Sequence, residues 1–360
     1  MGAAVTREDF FWSSDNEPHA KRRKEILDKH PEIKKLMVVD HVFKYNVLAL
    51  ASFQLFMAFL MSYLDVSWLN LALVTYIVSG TANHALLLAI HEIAHNMAFG
   101  HVKPLYNRIF GIIVNMPIGV PMAMSFKKYH LEHHRYQGHE NIDVDIPTEI
   151  EARLFTTTMG KAIWMFLQPF FYALRPLVVN PKVACKLEVF NFILQIVFDV
   201  IIFQYFGGKA LFYLIAGSLL GMGLHPVAGH FISEHYMFSS EHDTYSYYGI
   251  LNKLTFNVGY HNEHHDFPNV PGSLLPKVRE YAPEYYNNLP YHTSWVKVLY
   301  DYVTDPTIGP YARMKRKEYV FKKSTAKKNG ASNGHVNEQK VENGHPKEAN
   351  GVSNGTHKAD

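Results

Sequence analysis

The chain has 360 residues, a formal net charge of +3, 48% hydrophobic and only 19% charged residues, against about 25% charged in an average soluble domain. A single cysteine, Cys185, excludes a disulfide framework and any four-cysteine zinc or iron–sulfur site, and the small net charge argues against a nucleic-acid binder. Twenty-two histidines in so apolar a chain point to a histidine-rich membrane protein.

Residues 1–45 read as a polar, basic N-terminal segment without a cleavable signal peptide. Within it Met1-Gly2-Ala3-Ala4-Val5-Thr6 fits the N-myristoylation pattern, which makes Gly2 a candidate lipidation site. Asn46–Leu64 and Val66–Ile90 then run without Asp, Glu, Lys or Arg. About 20 apolar residues cross about 30 Å of hydrocarbon as a helix, so residues 46–90 are expected as a transmembrane hairpin turning at Asp65. The stretch 91–188 is expected as a cytosolic or interfacial loop. Two apolar pieces of it, Ile109–Phe126 with Pro117 and Pro121 and the short Ala162–Leu174, are expected to be interfacial or re-entrant rather than spanning.

A second hairpin is expected over 189–233, from Val189–Phe206 and Ala210–Ser233 joined by Gly207-Gly208-Lys209. Residues 234–321 would form a cytosolic cap. Residues 322–360 are a polar tail too poor in apolar groups to bury a core, hence expected disordered. The basic clusters Lys21-Arg22-Arg23-Lys24, Lys34-Lys35, Lys127-Lys128 and Met314-Lys315-Arg316-Lys317 all lie outside both turns. The positive-inside tendency then places both termini and the central loop in the cytosol. The fold class is therefore an all-α integral membrane protein: four spans in two hairpins, with a cytosolic histidine-rich cap for two metals.

The cap follows from three clusters: His91-Glu92-Ile93-Ala94-His95, His130-Leu131-Glu132-His133-His134 and His261-Asn262-Glu263-His264-His265. On a helix, positions i, i+3 and i+4 share a side, so each cluster is expected to present its imidazoles to a common point. A catalytic zinc takes about three protein ligands, so eight imidazoles exceed one such ion and suit two metals. Ligands must approach an ion to about 2.1 Å, whereas the ends of a span are about 30 Å apart, so all three clusters must emerge on one membrane face. His235, at the end of the fourth expected span, is the candidate ninth ligand, with His230 as second choice. His84 is expected to pack or to support a ligand, and Glu92, Glu132, Glu263 and Asp266 are candidate partners for the outer N–H of the metal-bound rings. Asp199, inside the third span, is expected to be structural.

A redox-active metal pair at a membrane surface suits attack on an unactivated C–H bond, which no side-chain base can deprotonate. An external electron donor is then implied, because the chain carries no flavin, haem or nicotinamide fingerprint. A different reading stays open for the first cluster alone: His91-Glu92-Ile93-Ala94-His95 fits the zinc-protease signature, with Glu92 as general base. It would leave at least five clustered histidines without a use.

The three histidine boxes resemble those of membrane fatty-acyl desaturases and hydroxylases. With Arg7-Glu8-Asp9-Phe10, Arg22-Arg23-Lys24-Glu25-Ile26-Leu27, Ser125-Phe126-Lys127-Lys128-Tyr129-His130, Gln168-Pro169-Phe170-Phe171-Tyr172, Gly229-His230-Phe231 and Asn257-Val258-Gly259-Tyr260-His261, the chain is similar to the sphingolipid Δ4-desaturases over roughly residues 1 to 320. The resemblance implies a di-iron enzyme of the endoplasmic reticulum, fed with electrons by cytochrome b5 and its NADH-dependent reductase. It would introduce the trans C4–C5 double bond into N-acylsphinganine (dihydroceramide), giving ceramide. Some relatives hydroxylate C4 to phytoceramide, and the residues do not separate the two outcomes. Under this reading the ligands are His91, His95, His130, His133, His134, His235, His261, His264 and His265, and no further catalytic residue is assigned.

Overall fold

Apolar runs of this length become helices because hydrocarbon offers the backbone no other partner. A computed structural model describes residues 4–317; Gly2 and the tail 322–360 lie outside the described residues. Among the described residues, four helices are long and apolar enough to cross a membrane: Phe43–Tyr63, Trp68–Ala94, Thr158–Val179 and Lys186–Met222. The second is a continuous rod with a π-helical stretch, Thr75–Ser79, at its middle.

The last of these is two helices. Gly207 has φ 78° and ψ 178°, a conformation that needs glycine, and the chain doubles back there. Gln195, before the break, and Ser218, after it, both donate to the same corner of the chain, at Met116 O and Ile118 O, so the two halves run antiparallel. The turn at Gly207 meets the turn at Asp65: Ser62 Oγ donates to Phe206 O, and Lys209 pairs with Asp65. Both tight turns thus lie at one end of the helices.

Between the helices, small residues allow close approach. A Cβ at Gly221 would lie 2.4 Å from Gly80 O, so the returning helix and the Trp68–Ala94 rod touch backbone to backbone there. A fully buried polar network crosses the same layer. Gln54 Nε2 donates to Ser79 Oγ (3.1 Å) and Asn83 Oδ1 (2.6 Å), and Tyr213 OH donates to Gln54 Oε1 (2.9 Å). Asn83 Nδ2 in turn reaches Leu214 O and Ser218 Oγ.

The returning half ends at Met222 rather than Ser233. Gly223 leaves helical space (φ -104°, ψ -118°), and Pro226 holds His225 extended (φ -138°, ψ 145°), as a proline does to the residue before it. Residues 226–233 continue as a short 3-10 turn and a one-turn helix, Gly229–Ser233, which lead into the cap.

Of the two shorter apolar pieces, one is longer than its apolar run and the other bends as a re-entrant segment would. Ala162–Leu174 is the centre of a 22-residue helix, Thr158–Val179, which is long enough to cross. Thr157 caps it by accepting from Gly160 N–H, and it continues through Pro169 and Pro176. Met159, Ile163, Phe166, Phe170, Leu174 and Leu177 form one exposed apolar row at helical spacing, whereas Lys161, Trp164, Gln168 and Arg175 are buried against the cap. The Ile109–Phe126 stretch is bent: the Pro104–Ile118 segment and helix Ala123–Arg135 meet at 115°. Asn115 ties that corner, its Oδ1 accepting from Met122 and Ala123 N–H and its Nδ2 donating to Val120 O.

The cap is helical with two small parallel strand pairs, Phe11–Ser13 with Met314–Arg316 and Ser246–Tyr247 with Tyr291–His292. The 314–317 cluster is therefore more than a basic flank. Arg316 is buried and donates to Asp243 Oδ2 (2.6 Å), Gln137 O and Asp15 O. The N-terminal segment is likewise woven in. Helix His19–Lys29 sends Arg22 to Asp266 Oδ2 (2.7 Å) and Asn262 Oδ1 (2.9 Å), beside the third histidine cluster.

Candidate metal centre

Each histidine cluster rides on a helix. His91 closes the last turn of the Trp68–Ala94 rod and His95 caps it, the second cluster ends helix Ala123–Arg135, and the third forms helix His261–Asp266. All of this lies at the end of the rod away from the Asp65 turn.

The ring nitrogens gather in two adjoining groups. His91, His95, His130, His134 and His264 form one; His133, His235 and His265 form the other. His261 joins the second through Nε2, 2.9 Å from His235 Nε2. The expectation that each cluster serves one point is corrected here. His130 and His134 go to the first group while His133 goes to the second; His261 and His265 go to the second while His264 goes to the first. At 3.6 residues per turn, i and i+4 sit about 40° apart, but i+3 sits about 100° from i+4. Each helix therefore lies between the two groups and feeds both. The groups meet where His134 stacks on His265, ring centroids 4.1 Å apart.

These residues fit metal ions. Nε2 to Nε2 distances are 2.9 Å for His95–His130, 3.0 Å for His134–His130, 3.1 Å for His264–His134 and 3.0 Å for His133–His235. Two nitrogens about 2.1 Å from one ion and at right angles to each other lie about 3 Å apart. His91 and His265 are buried with no hydrogen-bond partner on either ring nitrogen, which is costly for a polar group unless a ligand takes the lone pair. Burial also holds His95, His130, His134, His235, His261, His264 and His265 well below the ordinary histidine pKa, as neutral donors of a lone pair. His133 differs: burial opposes its charge, but the adjacent Asp143 carboxylate outweighs this and raises its pKa.

The supporting carboxylates are mostly not those expected from sequence. Asp143 takes His133 Nδ1 at 3.0 Å, and Glu234 Oε1 lies 3.2 Å from His261 Nδ1. Glu132 instead meets Lys182 and Asn180, and Glu263 accepts from Ser246 Oγ and Tyr248 OH. Asp266 holds His19 Nδ1 at 2.8 Å, and the His19 ring packs on His265 at 4.8 Å, so its support passes through a histidine of the N-terminal segment. Glu92 is buried, with Oε2 accepting Gly272 N–H (2.8 Å) and Oε1 3.5 Å from His91 Nδ1. Such an engaged carboxylate is poorly placed to be the general base of a zinc protease. Nothing in local spacing marks Asp143, ten positions beyond His133; Glu234 could have been noticed as the neighbour of His235.

His235 enters the centre, whereas His230 turns away and exchanges a 2.8 Å hydrogen bond with His84, whose other nitrogen reaches Gly221 O. Asp199 accepts from Gln195 one turn before it. Beside the first group opens a pocket. His91, His130, His133 and His261 line it together with apolar Leu87, Leu88, Phe126 and Val258 and polar Asp145, Gln168, Arg175 and Arg313. An alkyl chain and a polar group could thus occupy it side by side, next to the imidazoles.

Family models and named proteins match most of this chain. The profile described as fatty acid desaturase matches residues 66–295, and that described as sphingolipid Delta4-desaturase (DES) matches residues 6–42. The protein named sphingolipid delta(4)-desaturase DES1 of Drosophila melanogaster is 58% identical over 318 residues, 88% of this chain and 98% of the relative. Those of the same name from Mus musculus and Homo sapiens are 56% and 55% identical over 316 residues, each covering 88% of this chain and 97% of the relative.

Proposed function

Since the chain belongs to the fatty acid desaturase family, and within it to the sphingolipid Δ4-desaturases, we propose that it desaturates N-acylsphinganine at C4–C5 to give ceramide. The supporting observation is the gathering of nine imidazoles into two adjoining groups on the wall of a pocket that is part apolar and part polar. His91, His95, His130, His134 and His264 would hold one iron, and His133, His235, His261 and His265 the other. The iron pair, when bound, supplies the oxidant that removes hydrogen from an unactivated methylene.

The balance sets the remaining needs. The alkane loses two hydrogens, O2 accepts four electrons, and two of those, with two protons, come from outside to leave two waters. Cytochrome b5 with its NADH-dependent reductase is the donor of this reading. The protein's own part is to orient. Asp143 fixes the ring of His133, Glu234 lies 3.2 Å from His261 Nδ1, and burial keeps seven of the imidazoles neutral and ready to bind. Leu87, Leu88 and Phe126 hold the methylenes dry against the histidines.

The membrane topology belongs to the same proposal. Two hairpins, 43–94 and 186–222, would cross the endoplasmic reticulum membrane with the Asp65 and Gly207 turns luminal and both termini and the cap cytosolic. The exposed apolar row of Thr158–Val179 suits a helix lying on the cytosolic leaflet with its polar side on the cap. Gly2 acylation would add to an attachment that the spans already make permanent. Expression in cells lacking the activity, followed by mass spectrometry of sphingolipids, tests the reading. Ceramide with a trans Δ4 bond is expected; phytoceramide alone, or neither product, would overturn it.

A further inference from the structure

The reacting carbons of an N-acylsphinganine lie beside its polar end: C3 carries a hydroxyl and C2 the acylated nitrogen. Whatever recognises those groups must therefore share a wall with the metal-binding histidines. One pocket residue is set apart. Gln168 is only 5% exposed and lines the pocket, which puts a neutral carboxamide on the wall beside the histidines. A polar group on the wall of a pocket is paired by whatever fills that pocket, so this one can read a polar group that the ligand brings.

The charges of the pocket say what kind of group that is. Arg175 is committed to Glu151 through two hydrogen bonds, 2.8 Å and 2.7 Å. Arg313 donates to Asp145 O at 3.0 Å. Each guanidinium of the pocket thus has a carboxylate beside it, Glu151 for Arg175 and Asp145 for Arg313, which leaves little positive charge to invite a phosphate, while Gln168 offers a neutral amide able to give and to accept one hydrogen bond in the same plane. The Asp145 carboxylate lies 3.5 Å from Arg313 and beside the Tyr172 hydroxyl, and its two oxygens together can accept a further hydroxyl.

We propose that Gln168 and Asp145 determine substrate specificity by reading the polar end of a neutral sphingoid lipid. The Gln168 carboxamide pairs with the substrate's N-acyl amide, and the Asp145 carboxylate accepts from its C3 hydroxyl. The proposal rests on the desaturase reading above and adds to it the groups that measure the reaction position from the head of the lipid.

The test uses the full chain in membranes supplied with its electron donor. Kinetics are measured with N-acylsphinganine, with its N-methyl amide, which lacks the donor, and with its 3-deoxy form. Equilibrium binding of a radiolabelled N-acylsphinganine gives a readout separate from turnover. Gln168→Met, close in volume, should raise KM and weaken binding roughly tenfold for the parent lipid with kcat little changed, and should show little further loss on the N-methyl analogue. Asp145→Asn should behave likewise against the 3-deoxy analogue, and carries the proposal should Gln168→Met fail to accumulate. Unchanged binding and unchanged analogue discrimination in these variants would overturn the inference while leaving the desaturase reading intact. Tighter binding of the 1-phosphate than of the neutral lipid would overturn it too. A wild-type protein that converts none of the three lipids would instead remove the desaturase reading itself.

Discussion

Two regions of this molecule bury polar side chains, and they treat them in opposite ways. Between the long helices, Gln54, Ser79, Asn83, Tyr213 and Ser218 close on one another and on backbone carbonyls. In the cap, His91 and His265 are equally buried, yet both nitrogens of each ring lack a hydrogen-bond partner, and Gln168 lines the pocket beside them. The first network is complete and acts on stability alone. The second is complete only with ions and substrate, which is how a protein interior marks a site rather than a brace.

The contrast can be broken most forcefully at the centre. His264→Ala, or removal of metal by a chelator, should abolish turnover and lower bound iron, measured by elemental analysis on purified protein. Readdition of iron should restore the chelated wild type but not the variant. Retention of full iron and activity in His264→Ala would detach that residue from the centre.

One step outward, Asp143→Asn removes the carboxylate that orients His133 and should lower activity about 10–100-fold with the fold intact. An unchanged rate would mean that Asp143 serves only the loop at Gly138, whose N–H it also accepts.

The network between the helices should respond in the other currency. Gln54→Leu leaves Tyr213 OH and Asn83 Oδ1 without a partner and should cost about 1–2 kcal/mol, seen as earlier thermal inactivation in detergent, with iron per folded chain unchanged. Loss of iron in that variant would show that the two regions are coupled. The smallest effect belongs to the turns: Asp65→Asn breaks an exposed pair with Lys209 and should change stability by less than about 1 kcal/mol.

Much of this was legible in the amino-acid order. Apolar runs and histidines at helical spacing are local properties, set by a helix of fixed pitch and by the length of hydrocarbon to be crossed. They placed the starts of Phe43–Tyr63, Trp68–Ala94 and Lys186–Met222 and the ends of the first two within about a turn, and singled out the histidines that the fold then brings together. Misreadings arose where distant segments meet. Thr158–Val179 is longer than its apolar centre because its polar positions, Lys161 and Arg175, are buried by the cap, with Arg175 on Glu151 and Lys161 on Asp305 O and Ile308 O. The basic residues Arg22 and Arg316, read from the sequence only as positive flanks of the spans, bind Asp266 and Asp243.

From composition and spacing alone came the membrane habit, the helical character and which imidazoles were worth watching. Packing alone decided that each H-x-E-H-H helix divides its histidines between two groups, that His235 and not His230 enters, and that Asp143 and Glu234 stand behind the rings. Spacing along one helix states only the angle between side chains; which partner waits at that angle depends on chain segments ten to more than two hundred positions away, and only their folding together brings it there.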